Sequence, residues 1–493
     1  MRGGATPQEA ALLTVSTSGR AVVFAATTVV IALGGLLVLG IGFLNGLAFA
    51  AGVTVVAVML SSVVLLPAVL TLLGHRVLAW KVPGADKRAA KEGRGFARYA
   101  SALQRRPAVV AVLALVVVGT LAAPLLGLRQ GFPDDSVKPA GSLQRTAYDL
   151  TTAAYGPGSN GPFLIATELA TPNQLGPANQ LVDALQDDPG VASVSPPQPS
   201  ESGRAALLTV QPTTGPQDGA TLDTLTRLRD SVIPPALAGT GATAYVGGAT
   251  AITADFGAVL TGALPLFLLV VVGLGFLVLT VLFRSVLVPA LGALTSLLSL
   301  GAALGISVAV FQYGWLSGLV GVSGTGPTLP FVPIMTFAIL FGLAMDYQVF
   351  LASRMQEEFR ASGDARRAVR VGLIGSGRVV MAAAIILSSV FLAFVFGDDR
   401  IIKTFGLTLG AGVLVDAFVV RLVLVPAVLT LLGRSAWWLP AWLSRVLPNV
   451  QLEGETDEPA EGRHAASDRV APETDDGRHA APADRPDERV GMS

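Results

Sequence analysis

The chain contains no cysteine and only three histidines among its 493 residues. The missing cysteines exclude disulfides, thiol catalysis and thiolate metal sites. The histidines, His75, His464 and His479, lie outside the apolar segments, so an imidazole site within a membrane is excluded as well. No nucleophile–base pair, phosphate loop or metal-ligand spacing is present, and we therefore expect no enzyme, no catalytic residue, no metal and no cofactor.

Charge is also scarce. Only 14% of the residues are charged, 52% are hydrophobic and the mean hydropathy is +0.62, a composition typical of an integral membrane protein. Eight segments are long and apolar enough to span a bilayer. They lie near 21–42, 47–73, 107–127, 260–283, 286–311, 330–353, 379–397 and 404–432.

Lysine and arginine residues beside these segments predict the orientation. The connection 75–106 carries nine of them and the connection 354–378 carries six. With eight crossings both connections fall on one side, which the positive-inside rule places in the cytoplasm together with both termini. We thus expect a multi-pass protein of the cell inner or plasma membrane. Topology and anionic lipid explain the basic stretches, so no nucleic acid partner is expected.

The region 128–258 changes from apolar runs to a pattern typical of a soluble domain. Its strands and helices follow the order βαββαβ, at 163–168, 173–187, 191–194, 205–211, 222–233 and 242–246. This order predicts a ferredoxin-like α+β unit, and an irregular loop rich in proline and glycine is the alternative. The fold class is therefore an all-α polytopic transmembrane bundle with one extracytoplasmic, porter-like α+β domain.

The chain also contains an internal repeat. The octapeptide at 67–74 recurs letter for letter at 426–433, and Ser-Gly-Arg at 18–20 recurs at 376–378. Spans one and two are thus a copy of spans seven and eight, as in transporters built from repeats. The predicted domains are 1–74 (last two spans of a first repeat), 75–106 (basic cytoplasmic linker), 107–127 (span), 128–258 (outer domain), 259–433 (five-helix repeat) and 434–493 (disordered cytoplasmic tail).

Asp346 lies inside the apolar segment 337–354 and is followed at once by Tyr347. A carboxylate in hydrocarbon costs several kcal/mol unless it is protonated, paired or wet, so we predict a role in ion or proton movement. The alternative is a protonated acid that hydrogen-bonds a neighbouring helix. In the last span, Asp416 and Arg421 are five residues apart and so not on one face of an α-helix. Each is predicted to pair with another helix or with the cytoplasmic end, for helix packing or in support of the relay.

Three stretches resemble the MMPL transporters of the resistance–nodulation–division (RND) superfamily. They are GLAMDYQVFLASRMQEEF at 342–359, FGDDRIIKTFGL at 396–407 and VDAFVVRLVLVPA at 415–427, and the resemblance covers about 1–440. It implies an exporter of lipids or other amphiphiles that is driven by the proton motive force. Such transporters have twelve spans, two outer domains and an Asp-Tyr pair in each half.

By this resemblance Asp346 and Tyr347 are the second pair of the proton relay, with Tyr347 hydrogen-bonding a carboxylate across the repeat interface. The first four spans and the first outer domain have no counterpart, so we expect an N-terminally truncated chain. One alternative is a subunit that needs a separate chain for the missing half. The other is a remnant or a membrane scaffold that does not transport. Membrane lipids are the expected surroundings, and a homotrimer would fit the superfamily.

Overall fold

The computed structural model describes residues 19–74 and 85–447, together with positions 6, 8, 9 and 15. Within these ranges, eight helices are long and apolar enough to cross a membrane. Their bounds are Val22–Leu39, Gly42–Leu73, Pro107–Gly127, Ala249–Phe283, Leu287–Gln312, Phe331–Ser362, Ala365–Phe396 and Arg400–Trp437. The predicted eight-span bundle is confirmed, and the chain is a multi-pass membrane protein. The predictions for the tail beyond residue 447 and for 75–84 lie outside the described residues.

Five helices of the described chain precede the outer domain. Some of them lie within the bundle, and the fourth lies at one end of it. The five are α1 (Arg20–Gly34), α2 (Gly42–Leu60), α3 (Leu66–Leu73), α4 (Ala85–Arg105) and α5 (Pro107–Ala122). The predicted linker 75–106 is thus helical over most of its length. Gln104 on α4 donates to the carbonyl of Arg366, which places α4 beside the other basic connection. We call this side of the bundle the basic end and the opposite side the domain end.

The domain contains helices on one side of an antiparallel sheet. In chain order it has α6 (Leu143–Tyr155), β1 (Phe163–Glu168), α7 (Gly176–Gln186), β2 (Val191–Val194), β3 (Gln198–Pro199), β4 (Ala205–Pro212), α8 (Gly219–Arg227), α9 (Ile233–Ala236) and β5 (Thr243–Gly247). The sheet order is β2-β4-β1-β5, and β3 adds to β4. This is the arrangement of the split βαβ unit, so the ferredoxin-like prediction is confirmed.

The domain has its own hydrophobic core because buried and exposed side chains alternate along its central strand. In β1, Phe163 and Ile165 are fully buried while their neighbours face outward. Ile165 lies opposite Leu208 of β4 and Val246 of β5, and Leu181 of α7 covers this face. Period-two burial against helices is the ordinary way in which such a sheet forms a core.

The second part of the bundle follows the domain without a flexible connection. Its helices are α10 (Ala249–Phe283), α11 (Leu287–Ser307), α12 (Ser317–Val320), α13 (Phe331–Ser362), α14 (Ala365–Ala393), α15 (Arg400–Leu414), α16 (Val425–Leu432) and α17 (Ala441–Val446). Helix α10 starts two residues after β5 and runs through position 258, where the sequence predicted the domain boundary. The domain and the bundle therefore share one continuous helix.

The two copies of the repeat have the same backbone features. Before α3 the chain forms a π-helical segment at Ser61–Leu65, and before α16 it forms a longer one at Val415–Leu424. Both copies end at a glycine with positive φ, 51° at Gly74 and 56° at Gly433, a conformation that favours glycine. The π-helical turns come from the folded structure and have no counterpart in the sequence prediction.

An ion pair in the domain allows a test of its stability. The Arg227 guanidinium hydrogen-bonds the buried Asp188 carboxylate and holds its pKa below the usual aspartate value. Because the pKa is lower in the folded domain, this contribution is present at neutral pH and is lost as the pH falls below the ordinary aspartate value. We expect Asp188→Asn to destabilise the domain by about 1–2 kcal/mol at neutral pH and much less at acidic pH.

The measurement is the rate of native-state proteolysis within 163–247 as a function of pH. The control is Asp255→Asn, because Asp255 pairs with Arg229 but its side chain is 54% exposed. An exposed pair contributes about 0.5 kcal/mol. Equal effects of the two substitutions at neutral pH would contradict the assignment.

Candidate functional site

Asp346 and Tyr347 lie near the middle of α13, well away from both ends of this helix. The Thr28 hydroxyl on α1 lies 3.1 Å from Asp346 Oδ1, and Thr28 is 5% exposed. Helix α1 belongs to the first copy of the repeat and α13 precedes the second copy. The carboxyl group is thus held against the first copy of the repeat.

The Thr28 hydroxyl has two oxygen neighbours and only one proton. It lies 2.7 Å from the carbonyl of Ala25, which can only accept, and 3.1 Å from Asp346 Oδ1. When Asp346 is ionised, the hydroxyl can donate to the carboxylate. When Asp346 is protonated, the acid can donate to the hydroxyl, which then donates to Ala25. The geometry therefore accommodates both protonation states by rotation of one hydroxyl group.

A cleft of about 240 Å³ gives access to Asp346 and Tyr347, which are both half-buried. Apart from these two residues its walls are apolar and come from α1, α13 and α14. The lining residues are Val22, Phe24, Ala25, Val349, Phe350, Val379, Val380 and Ala383. The Tyr347 hydroxyl has no hydrogen bond within the described part of the chain. The predicted hydrogen bond from Tyr347 to a carboxylate across the repeat interface is therefore not formed. The contact across this interface is the one between Thr28 and Asp346.

Asp416 and Arg421 form a buried ion pair with each other. Arg421 Nε lies 2.8 Å from Asp416 Oδ2, and their side chains are 5% (Asp416) and 1% (Arg421) exposed. Ser299 on α11 donates to the other carboxylate oxygen at 2.8 Å, and Arg421 also donates to Gln348 Oε1 on α13. The pair thus ties the last span to two other helices.

The prediction that Asp416 and Arg421 are too far apart on the helix to meet is wrong. They lie in the π-helical segment Val415–Leu424, where hydrogen bonds run from residue i to i+5. Residues five apart then lie on the same side, whereas a regular α-helix would separate them. The prediction of contacts with other helices holds, through Ser299 and Gln348.

Both predicted groups lie at the middle of α13: one belongs to this helix and the other contacts it. Gln348, which accepts from Arg421, is two residues after Asp346 on α13. Arg421 is therefore connected through Gln348 to the helix that carries Asp346 and Tyr347. Sequence reasoning missed Thr28, Ser299 and Gln348. Each is a polar residue within an apolar span, but only the packing of the helices shows which of the many such residues face the site.

Two cations at the start of α15 bind the part of the chain between α11 and α13. Arg400 donates to the carbonyls of Phe311, Gly324 and Gly326. Lys403 Nζ donates to the carbonyls of Val320 and Gly321, at 3.1 and 2.8 Å. A Cβ added at Gly324 would lie 2.8 Å from the Cα of Val137, so the loop at Gly324 packs directly against the domain. Helix α15 therefore connects the ion-pair segment to the domain end.

An eight-span bundle with a repeated helix pair, an intramembrane acid beside the first copy and a ferredoxin-like domain defines a multi-pass membrane protein. The chain belongs to the MMPL family, whose model matches residues 1–110 and 165–451. The predicted resemblance is thereby confirmed.

Individual relatives are similar over nearly the whole of this chain. Membrane protein YdfJ of Bacillus subtilis is 38% identical over 96% of this chain and 63% of its own length. The heme uptake protein MmpL11 of Mycobacterium tuberculosis is 34% identical over 92% and 47%. The mycolic acid-containing lipids exporter MmpL11 of Mycolicibacterium smegmatis is 32% identical over 92% and 48%. The chain thus spans about half to two thirds of the length of these relatives.

The buried ion pair predicts a non-additive pair of substitutions. Arg421→Met leaves a buried carboxylate without its counter-charge, and we expect a loss of about 3–5 kcal/mol. The double variant Asp416→Asn, Arg421→Met removes both charges and should be less destabilised than Arg421→Met alone. Thermal unfolding of the purified chain in detergent measures both.

The pair Arg145 and Asp149, in which the Asp149 side chain is 54% exposed, is the control for this cycle. Asp149→Asn should cost about 0.5 kcal/mol or less, because solvent screens this pair. If the loss of unfolding free energy in the double variant at 416 and 421 equals the sum of the losses in the two single variants, the two charges are not coupled.

Proposed function

We propose that this chain forms the proton-coupled part of an exporter of lipids or other amphiphilic molecules. The observation that carries the proposal is the contact of Asp346 with Thr28 across the repeat interface, beside a buried charged network. Intramembrane acids between repeats are where transporters bind their coupling ions. Asp346 is the proton carrier, Tyr347 lines its access cleft, and Asp416 and Arg421 support the relay.

In this mechanism Asp346 takes up a proton from one side of the membrane and releases it to the other. The proton motive force supplies about 2.3 kcal/mol for each charge and 100 mV. Rotation of the Thr28 hydroxyl accompanies each change of protonation and keeps the oxygen atoms partnered. Loss of the negative charge on Asp346 weakens its attraction to Arg421, so the contacts of Arg421 with Asp416 and Gln348 change in strength. Protonation is thereby linked to the packing of α11, α13 and the last span.

Helix α15 offers a route from this site to the domain. The π-helical segment that holds Asp416 follows α15 directly, and Arg400 at its other end donates to Gly324 and Gly326 in the loop that packs on the domain. A shift of this helix along its axis would move the loop and the domain with it. Substrate would then pass through the domain, which moves relative to the membrane in each cycle.

The proposed orientation places the basic end in the cytoplasm and the domain outside, in the cell inner or plasma membrane. The charge distribution of the connections supports it. The name of one relative concerns lipids and that of another concerns heme, which is also amphiphilic. Because the chain spans only part of its relatives, activity is to be measured in the assembly that is active, with any separate chain it requires. The oligomeric state, for which we propose a trimer, is measured in the same preparation.

Asp346→Asn tests the proton relay. The amide has nearly the same shape as the acid but cannot take up and release a proton, so we expect proton-coupled export to be lost. The measurement is lipid export from proteoliposomes with an imposed pH gradient, with heme as a second substrate. Asp398→Asn, on the exposed surface beside α15, is the matched control and should transport normally. Full activity of Asp346→Asn would refute the relay.

Substitution of Thr28 tests its part in the cycle. Thr28→Val keeps the shape but removes the hydroxyl, and one net hydrogen bond to a charged group contributes about 1.5–3 kcal/mol. We therefore expect transport to fall by about tenfold or more, because about 1.4 kcal/mol corresponds to a factor of ten. Thr28→Ser retains the hydroxyl and should recover most of the rate. Equal rates for Val and Ser at this position would show that the hydroxyl has no role.

A further inference from the structure

Among the buried hydroxyl groups of the described bundle that lack a partner, two lie on helices that flank the ion pair. Ser307 on α11 and Thr336 on α13 are 0% exposed, and neither side-chain oxygen has a hydrogen bond within the described residues. Other hydroxyls on α11 donate to the carbonyl one turn earlier, as Thr295 and Ser296 do. A buried polar group without a partner costs about 1–3 kcal/mol, so two of them in one bundle indicate a ligand that supplies the missing bonds.

The contacts of α15 show how α11 and α13 are aligned with it. A Cβ added at Gly412 would lie 2.7 Å from Leu340 Cδ1 and 3.0 Å from Ala303 Cβ, so these three residues occupy one level. One turn further toward the basic end, Ser299 on α11 bonds Asp416. The same alignment therefore holds at two successive levels.

One turn toward the domain end, this alignment brings three hydroxyls together. Ser307, Thr336 and Thr408 each lie four residues from Ala303, Leu340 and Gly412 on their own helices, and hence on the same helix face. Helix α11 runs opposite to the other two, so all three steps point in the same direction. All three hydroxyl-bearing residues are 0% exposed, and Thr408 donates to the carbonyl of Thr404.

The chemistry of this level fits water. The three hydroxyls can together donate and accept, and a buried water typically makes about three hydrogen bonds. No charged side chain belongs to this level of the three helices, which argues against an ion. The layer between it and the ion pair consists of Ala303, Leu340 and Gly412 and is apolar.

Another polar group without a partner, the side-chain amide of Gln348, lies on the other side of the apolar layer. Arg421 can only donate, so its bond fixes the orientation of the Gln348 amide, with Oε1 toward the guanidinium. Gln348 Nε2 then has no acceptor within the described residues, although the side chain is 1% exposed. It faces Gly292, where an added Cβ would lie 3.3 Å away. Unpartnered polar groups thus occur on both sides of the apolar layer.

We propose that the seam between α11, α13 and α15 binds water at Ser307, Thr336 and Thr408. This water forms the outer part of a proton route from the domain end to the Asp416–Arg421 pair. Leu340, packed over Gly412, is the apolar layer that interrupts the route. Only the use of this water for protons rests on the function proposed above, whereas its presence in the seam does not.

The natural absence of cysteine allows a direct test in the full chain. Ser307→Cys and Thr336→Cys nearly preserve side-chain size, and Ala303→Cys places a thiol one turn away in the apolar layer. Vesicles are treated with silver ions on one side, then denatured, and the remaining thiols are labelled. The thiolate is the reactive species and forms only where water solvates it. The thiols introduced at positions 307 and 336 should therefore react about an order of magnitude faster than the thiol at position 303.

Each outcome decides the proposal. Faster reaction at 307 and 336 with silver added on the domain side supports it. Reaction at both positions as slow as at 303 shows a dry seam and overturns it, and reaction only from the basic side overturns the direction. Equally fast reaction at all three overturns the apolar layer. The two positions lie on different helices, so a folding defect in one variant leaves the other informative. These rates do not depend on transport, so a failure of the Asp346→Asn test leaves them valid.

Discussion

Polar groups within the bundle depend on partners inside the protein or on bound water, because hydrocarbon offers none. The Asp416–Arg421 pair shows how strongly this constraint acts on the backbone. Five residues apart, the two side chains could not meet on a regular α-helix, and the last span is π-helical over Val415–Leu424. The wider turn replaces the hydrogen bonds of the α-helix by bonds between residues i and i+5. It allows a carboxylate and a guanidinium to neutralise each other in a medium of low dielectric constant.

The same π-helical geometry occurs in the first copy of the repeat, although that copy carries no charge there. Ala57 and Ser62 occupy the positions that correspond to Asp416 and Arg421, and the segment Ser61–Leu65 is still π-helical. The wide turn is therefore a property of the repeated helix pair, and the charges are confined to the second copy. This makes the site asymmetric: the first copy contributes Thr28, a hydroxyl, while the acids and the arginine come from the second half of the chain.

The contacts of α15 connect this asymmetric site to the domain. At one end its chain continues into the ion pair, and at the other Arg400 and Lys403 donate to backbone carbonyls of the chain between α11 and α13. Carbonyl groups bind these two side chains without neutralising their charge. This part of the chain is therefore bound by hydrogen bonds and not by a salt bridge. A rigid helix with a charged network at one end and a bound loop at the other transmits displacement better than a flexible connection. Helix α10 provides the second rigid link, since it runs from β5 into the membrane without a break.

Hydropathy and periodicity suffice to predict the eight spans, the βαββαβ domain and the intramembrane acid Asp346. Spans follow from length and composition, and the strands of the domain follow from period-two burial, both of which are local properties of the chain. The repeat is also visible in the letters alone. Local patterns, however, carry no information on helix rotation. The packing of residues that are far apart in the chain decides the rest. It brings Thr28 to Asp346 and adds Ser299 and Gln348 to the ion pair. It also leaves Ser307 and Thr336 without partners. The π-helical turn that unites Asp416 with Arg421 was likewise decided by the fold, because a π-helical segment also occurs in the uncharged first copy and so belongs to the repeated helix pair rather than to the residues at 416 and 421.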